Sequence, residues 1–441
     1  MKYFVWLISG VNVYLGLRCL LNAIHVLHTS KYSQTTTVIF AVLFLGLGAA
    51  WSAVLVACRP RTAAPVAEPR ALGAAVSSYG SRSPFEKTTR FFNQNTKVPL
   101  EEASSRTPLH DTYGIITPSS LHFERHHSGV PVIDPATHTL TIHGLVDRPL
   151  VFTVDELRRM PSVSRIYFLE CSGNSGSEWR GGSTDSDVQR VHGLTSCSEW
   201  TGVPVAALLR ECGIQASATW LLAEGADAGK HARSIPIRKA MDDALVAYAQ
   251  NGEPIRPEQG YPLRLFLPGW EGNTNVKWLR RLKALDQPAM TREETSKYTD
   301  LMSDGTARQF TFDMEPKSII TRPSGGDTIA KGARHQITGI AWSGRGTIAK
   351  VEVTTDGGTT WNTAELQSPV LPRAHTRFRW SWTWNGDETV IASRCTDDTG
   401  YTQPRLAELI QVRGMNSQYH NNGIQAWKVA ADGKITNGNR A

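Results

Sequence analysis

A chain of 441 residues has room for two or three domains, and 40% apolar with 20% charged content excludes a disordered polymer. The formal charge of +7 could suit nucleic acid, yet no Lys/Arg block, zinc spacing or RNA-type aromatic signature is present, so no nucleic-acid partner is expected. Scattered Arg and His fit an anionic small molecule or an acidic protein better. The six cysteines (Cys19, Cys58, Cys171, Cys197, Cys212 and Cys395) form no CxxC pair and no CxxCH haem motif. They are too scattered for a disulfide framework, although a Cys197–Cys212 bridge stays open.

The first 58 residues read as a membrane anchor or signal region. Tyr3 to Leu27 is apolar but broken by Asn12, Arg18, Asn22 and His25. Thr37 to Ala57 is a charge-free run of 21 residues, enough to span a hydrocarbon core of roughly 30 Å. Both runs could span as a hairpin, or the second alone could anchor the chain. A lipoprotein-type signal is the third reading, because Leu55-Val56-Ala57-Cys58 matches a lipid-attachment box. An uncleaved anchor is preferred, with its orientation open. Residues 59–105, rich in Ala, Pro and Ser, read as a linker and extended arm.

Residues 106–315 carry the pattern of a mixed α+β domain without regular βαβ alternation. Leu140–Gly144, Leu150–Thr153, Arg165–Glu170, Trp220–Ala223 and Leu263–Leu267 read as strands. Val154–Met160 after Thr153, Val203–Cys212 before Gly213, and Ile237–Ala249 read as helices. Residues 316–413 change character. Short strands are expected at His335–Ile340, Ala349–Thr355, Arg377–Trp384 and Thr389–Thr396, with a hairpin signal at Asp356-Gly357-Gly358. That spacing predicts an immunoglobulin-like β-sandwich. Residues 414–441 read as an irregular tail.

Chemistry concentrates where the strand Arg165–Glu170 runs into Cys171-Ser172-Gly173-Asn174-Ser175-Gly176. A thiol on a glycine-containing loop at a strand end can act as a nucleophile or a metal ligand. A buried structural cysteine is the bland alternative. The same domain holds Arg125-His126-His127, Asp227 in a Gly-rich loop, Arg264 on a strand, and Asn275-Val276-Lys277-Trp278. Adjacent His126 and His127 point different ways on any regular element, so they do not read as a chelating pair. Singly, each of these residues reads as a surface ion pair, turn chemistry or a snorkelling Lys. Brought together, they would surround one thiol with cationic donors and suit a large anionic cofactor or an oxyanion.

In that order, and with Tyr298, these residues resemble the sulfite oxidase family of molybdenum enzymes over roughly residues 106–413. Phe123-Glu124-Arg125-His126-His127, Tyr79-Gly80-Ser81 and Tyr419-His420-Asn421-Asn422 are most similar to the molybdenum subunits of bacterial sulfur dehydrogenases that serve thiosulfate oxidation. The resemblance implies a molybdenum–molybdopterin cofactor with Cys171 as the protein's metal ligand. It implies pterin and phosphate contacts from Arg125, His126, His127, Asp227, Arg264, Asn275, Val276 and Lys277, with Arg125, Lys277 and Tyr298 facing the substrate. It further implies oxidation at sulfur, a carrier protein bearing the substrate or else free sulfite, and a c-type cytochrome as electron acceptor. A homodimer through the second domain and a periplasmic, membrane-anchored setting complete the expectation. A cofactor-free, membrane-tethered binding protein is the rival of another class. Gln259 and Asn275 stand where many members carry His, and the twin-arginine export signal typical of such subunits is not seen ahead of the apolar runs.

Overall fold

The computed structural model describes residues 72–92 and 98–439, so the apolar N-terminal runs, the expected membrane segment and Cys58 lie outside the described residues. Among the described residues no helix is long and apolar enough to cross a membrane. Pro84–Ala441 is one compact unit, within which a mixed domain and a sandwich share a boundary.

Two five-stranded sheets build the mixed domain. In one, Val163–Glu170 pairs antiparallel with Thr195–Pro204, which pairs with Leu245–Gln250. Arg264–Phe266 pairs with the far side of Leu245–Gln250. The other sheet runs Leu150–Thr153, Thr139–Gly144, Leu279–Leu285, Trp220–Gly225, Ala232–Pro236, and its Thr139–Gly144/Leu279–Leu285 pair is parallel. Between the layers lies a core that includes Leu140, Val203, Leu208, Leu221, Val246, Leu265 and Leu282. The short helix Val154–Arg159 starts where the sequence places it. Thr153 accepts from the Glu156 N–H at 3.2 Å while Glu156 accepts from the Thr153 N–H at 2.8 Å, a reciprocal cap.

Two of the expected helices need correction. The helix expected over Ile237–Ala249 ends at Asp242, and Leu245–Gln250 is a strand. Its alanines permit a helix, but the segment fills the gap between two strands, and pairing on both sides outweighs propensity. Val203 and Pro204 belong to the preceding strand, so the next helix is Val205–Glu211. Cys197 and Cys212 are both free and buried, each in the interior of a different core, so no bridge joins them.

The second domain is a two-sheet sandwich. Lys317–Arg322, Arg334–Trp342, Thr376–Thr383 and Glu365–Gln367 form one sheet. Asn362–Thr363, Ile348–Thr354, Thr389–Asp397, Ala426–Val429 and Ile435–Asn437 form the other. The expected hairpin is present, with Ile348–Thr354 turning through Gly357 and Gly358 (φ +70° and +94°) to pair with Asn362–Thr363. The stretch read as a tail supplies two of these strands, because Trp427, Val429 and Ile435 are fully buried in the sandwich core. The arm is likewise recruited from Phe91: Phe91–Phe92 pairs with Ser104–Arg106, which pairs with Glu124–Arg125.

One strand joins the domains. Alternation along Val163–Glu170 sends Phe168 into the sandwich core and Leu169 toward the mixed domain's own cluster. Glu170 follows Phe168 toward the sandwich, and Cys171 follows Leu169 to the opposite face. The strand end therefore presents a thiol to one domain and a carboxylate to the other.

Candidate active site

Cys171 lines a pocket with an enclosed volume of about 80 Å³ that continues into open solvent. Leu169 and Cys171 both line it, as strand alternation requires. The loop after Cys171 is tightly specified. The Cys171 N–H donates to Leu194 O at 3.0 Å, and the Asn174 N–H donates to Cys171 O at 2.9 Å. Ser175 sits at φ +59°. Gly272 passes beneath the strand end: a Cβ there would stand 2.9 Å from Glu170 O and 3.3 Å from Cys171 Cα, so only glycine fits. Burial raises the thiol's pKa, against which the Gly173 N–H and the Arg125 guanidinium favour the thiolate.

Of the expected residues, Arg125, His126, His127, Asp227, Arg264, Asn275, Lys277 and Tyr298 converge on this cavity with Cys171. Val276 does not: its side chain is 1% exposed and packs in the mixed domain's core. Asn275 lines the cavity but spends its side chain on the turn. Its Oδ1 accepts from Leu267 N–H at 2.7 Å, and its Nδ2 donates to Glu271 O at 2.9 Å. Gln259 lines the cavity too, with Nε2 donating to Phe123 O at 2.7 Å.

The cations are the chief electrostatic feature. Arg264 is 2% exposed and donates to two backbone carbonyls, Gln259 O at 2.8 Å and Asn275 O at 3.1 Å. Its Nε has no partner among the described residues, and burial alone lowers its pKa to about 9. Lys277 donates to the carbonyls of Arg125 (3.2 Å) and Glu258 (3.1 Å) and to His126 Nδ1 (2.9 Å). Burial, and then Arg264, bring its ammonium down to about 7. His126 Nε2 lies 2.8 Å from Glu124 Oε2. Since Lys277 donates to Nδ1, the network assigns the His126 proton to Nε2. His126 thus links Lys277 to Glu124 instead of offering a free lone pair.

Tyr298 stands at φ +50° with its hydroxyl 2.6 Å from His127 Nε2. Arg233 lies under its ring at 5.5 Å and Tyr419 packs on it at 5.3 Å. Burial, and next the Cys171 charge, raise its pKa, so the phenol stays a neutral donor. Asp227 Oδ1 accepts from the His231 N–H at 3.1 Å and shapes the Gly-rich loop.

Sequence reasoning did not select His231, Asn273, Glu271 or His420 as site residues. Asn273 Nδ2 donates to Ser172 Oγ at 3.0 Å, and His231 Nε2 lies 2.8 Å from Asn273 O. Glu271, 2% exposed, binds Arg233 at 3.2 Å and His420 Nε2 at 3.0 Å. Burial opposes its ionisation, and Arg233 with His420 outweighs that and holds its pKa low. The His420 N–H donates to Ser172 O at 2.8 Å, which brings the C-terminal segment against the thiol loop. The local signals for them were the polar run Glu271-Gly272-Asn273 and, for His420, the motif Tyr419-His420-Asn421-Asn422.

Residues 127–293 match the family described as "oxidoreductase molybdopterin binding domain", and residues 308–427 match "Mo-co oxidoreductase dimerisation domain". The crystal structure of the sulfane dehydrogenase SoxCD from Paracoccus pantotrophus superposes with TM-score 0.81 at 45% identity, covering 83% of this chain and 95% of that one. Mitochondrial sulfite oxidase of Rattus norvegicus is 28% identical over 378 residues, 78% of this chain and 68% of the relative. Nitrate reductase [NADH] of Solanum lycopersicum is 32% identical over 338 residues; the match takes in 66% of this chain but only 36% of that enzyme. The donor set fits such a cofactor, because buried Arg264, with an orphaned Nε and no carboxylate acting on it, asks for an anion from outside the chain.

Proposed function

Because the chain belongs to the sulfite oxidase family of molybdopterin enzymes, we propose that it is a molybdenum-dependent sulfur dehydrogenase acting on sulfane sulfur held on a carrier protein's cysteine. One observation carries this reading: a partly accessible thiol opens onto the same cavity as buried Arg264, which no carboxylate offsets, and buried Lys277, which reaches Glu124 only through His126. The 45% identity to a sulfane dehydrogenase, over 95% of that chain, supports the substrate class. The same convergence speaks against a cofactor-free binding protein, for which a buried Arg264 without a carboxylate would be pure cost.

Cys171 thiolate would ligate the metal, a soft donor for a thiolate-seeking centre. Arg264 and Lys277 would hold the anionic part of the pterin, with His126 and Glu124 fixing the Lys277 ammonium. When bound, the molybdenum group supplies the two-electron oxidation at sulfur. Arg125 and Lys277 would neutralise the oxyanion that forms as sulfur is oxidised. Tyr298, held by His127 and Tyr419, would donate a hydrogen bond to that oxygen. The two electrons would pass one at a time to a c-type cytochrome partner, since the chain carries no CxxCH motif of its own. The match of residues 308–427 to a dimerisation domain supports a homodimer through the sandwich. A periplasmic setting, with Thr37–Ala57 as tether, completes the reading.

The test is the metal and pterin content of wild type beside Cys171→Ser, with cytochrome c reduction assayed on free sulfite and on a carrier-bound sulfane donor. Near-stoichiometric molybdenum in wild type, loss of turnover in the variant and faster turnover of the carrier-bound donor are expected. Faster turnover of free sulfite would reassign the substrate. No molybdenum in wild type from a host that supplies the cofactor would overturn the enzyme.

A further inference from the structure

The face of the strand opposite the cavity holds a buried polar network that the catalytic reading leaves unused. Glu170, 1% exposed, immediately precedes Cys171. Its Oε2 accepts from Trp342 Nε1 at 2.7 Å. Its Oε1 accepts from Asn174 Nδ2 at 2.9 Å and from Lys317 Nζ at 3.3 Å. Lys317, also 1% exposed, donates in addition to Ser175 Oγ at 2.8 Å. Asn174 Oδ1 in turn accepts from the Leu194 N–H at 3.1 Å. Two of the donors, Lys317 and Trp342, belong to the sandwich; Glu170, Asn174 and Ser175 bracket the thiol.

A buried ion pair of this kind is weak evidence for stability, since desolvating both charges consumes most of what their attraction returns. Apolar residues of the same volume would hold the domains together as well. Geometry gives the network another role. The Glu170 carboxylate is held from three directions, so it can neither rotate nor slide. Lys317 grips the loop on both sides of Cys171, at Glu170 and at Ser175. We infer that Lys317 and Trp342 of the sandwich domain are positioning residues that fix the place of Cys171 through Glu170. This inference rests on the reading of Cys171 as the molybdenum ligand. The second domain then has a task at the metal centre separate from dimerisation, and a displacement of Cys171 by an ångström would reach the chemistry directly.

The experiment uses the full chain loaded with cofactor, in wild type, Lys317→Met, Trp342→Phe and Cys171→Ser. Molybdenum content, the thiolate-to-molybdenum charge-transfer band, the Mo(V) paramagnetic resonance signal, kcat and KM are measured. In Lys317→Met molecules that carry molybdenum, the band and resonance should shift. There kcat should fall about tenfold or more while KM stays within about twofold. Trp342→Phe keeps the ion pair and removes one donor, so it should move the same signals less; it carries the test if Lys317→Met fails to fold. Loaded variants with wild-type spectra and wild-type kcat would overturn the inference. A Cys171→Ser protein that keeps the wild-type band would refute the ligand assignment instead, so the two failures are told apart.

Discussion

Replacing Arg264 by Met should separate what the cavity needs for folding from what it needs for its ligand. The guanidinium is 2% exposed, and burial alone brings it from 12.5 to about 9. That is about 5 kcal/mol of desolvation with no carboxylate to offset it. Its bonds to Gln259 O and Asn275 O return roughly 1.5–3 kcal/mol each, so the residue is close to neutral for the cofactor-free fold. Methionine fills similar volume beside Trp200, which the guanidinium now faces at 5.0 Å. Arg264→Met without cofactor should therefore lie within about 2 kcal/mol of wild type in urea unfolding at pH 7.5. Cofactor retention should instead weaken by about 2–5 kcal/mol, the usual cost of removing one partner of a buried charge pair. Urea titrations followed by tryptophan fluorescence, with metal analysis of protein from a cofactor-supplying host, measure both quantities. A cofactor-free variant destabilised by more than about 3 kcal/mol would show Arg264 to be a structural pillar. Wild-type molybdenum content would remove it from the cofactor site. Either result refutes the reasoning.

Two further outcomes follow from the same structure. His122 and His375 are both held to about 3 by burial, below the ordinary 6.5, so the folded state resists their protonation. Stability should be full above pH 6.5 and decline as pH falls toward 3, by about 2 kcal/mol per histidine at pH 5; His375→Gln should lose only the His122 share, and an unchanged pH slope in urea unfolding would contradict this. Tyr298→Phe should leave molybdenum content unaltered, because Arg264 and Lys277 are held without its hydroxyl, while kcat/KM falls about 10²-fold; a metal-depleted variant in elemental analysis would assign Tyr298 to cofactor binding instead.

Much of the scaffold was legible because its signals are local. The aromatic and β-branched run at Arg165–Glu170, the Thr153–Glu156 cap and the Asp356-Gly357-Gly358 turn each state their conformation within a few residues. The helix expected over Ile237–Ala249 failed for the opposite reason. Nothing inside Leu245–Gln250 announces that strands wait on both flanks. Two strands after Gly414 were missed likewise, since Ala426–Val429 pairs with the distant Thr389–Asp397, and Ile435–Asn437 then adds to Ala426–Val429, a sheet edge that the segment cannot reveal alone.

The site divides along the same line. Much of the cavity lining was recognisable as an ordered series of motifs, although Val276 stays in the core and His231 and Asn273, which also line the cavity, were not selected. Residues that hold those residues were not. Lys317 reads as an ordinary charge at the start of a strand, yet it is 1% exposed and meets a carboxylate 147 positions earlier. Burying Lys317 needs a partner, and that partner is supplied by the fold, not by its neighbours in sequence. Glu170 shows the consequence most directly. Its place before Cys171 is plain in the sequence, but its direction is set by strand alternation and its immobility by Lys317 and Trp342 in another domain. Sequence can thus name the atoms that would touch a cofactor, while the precision with which they are held is a property of domain packing.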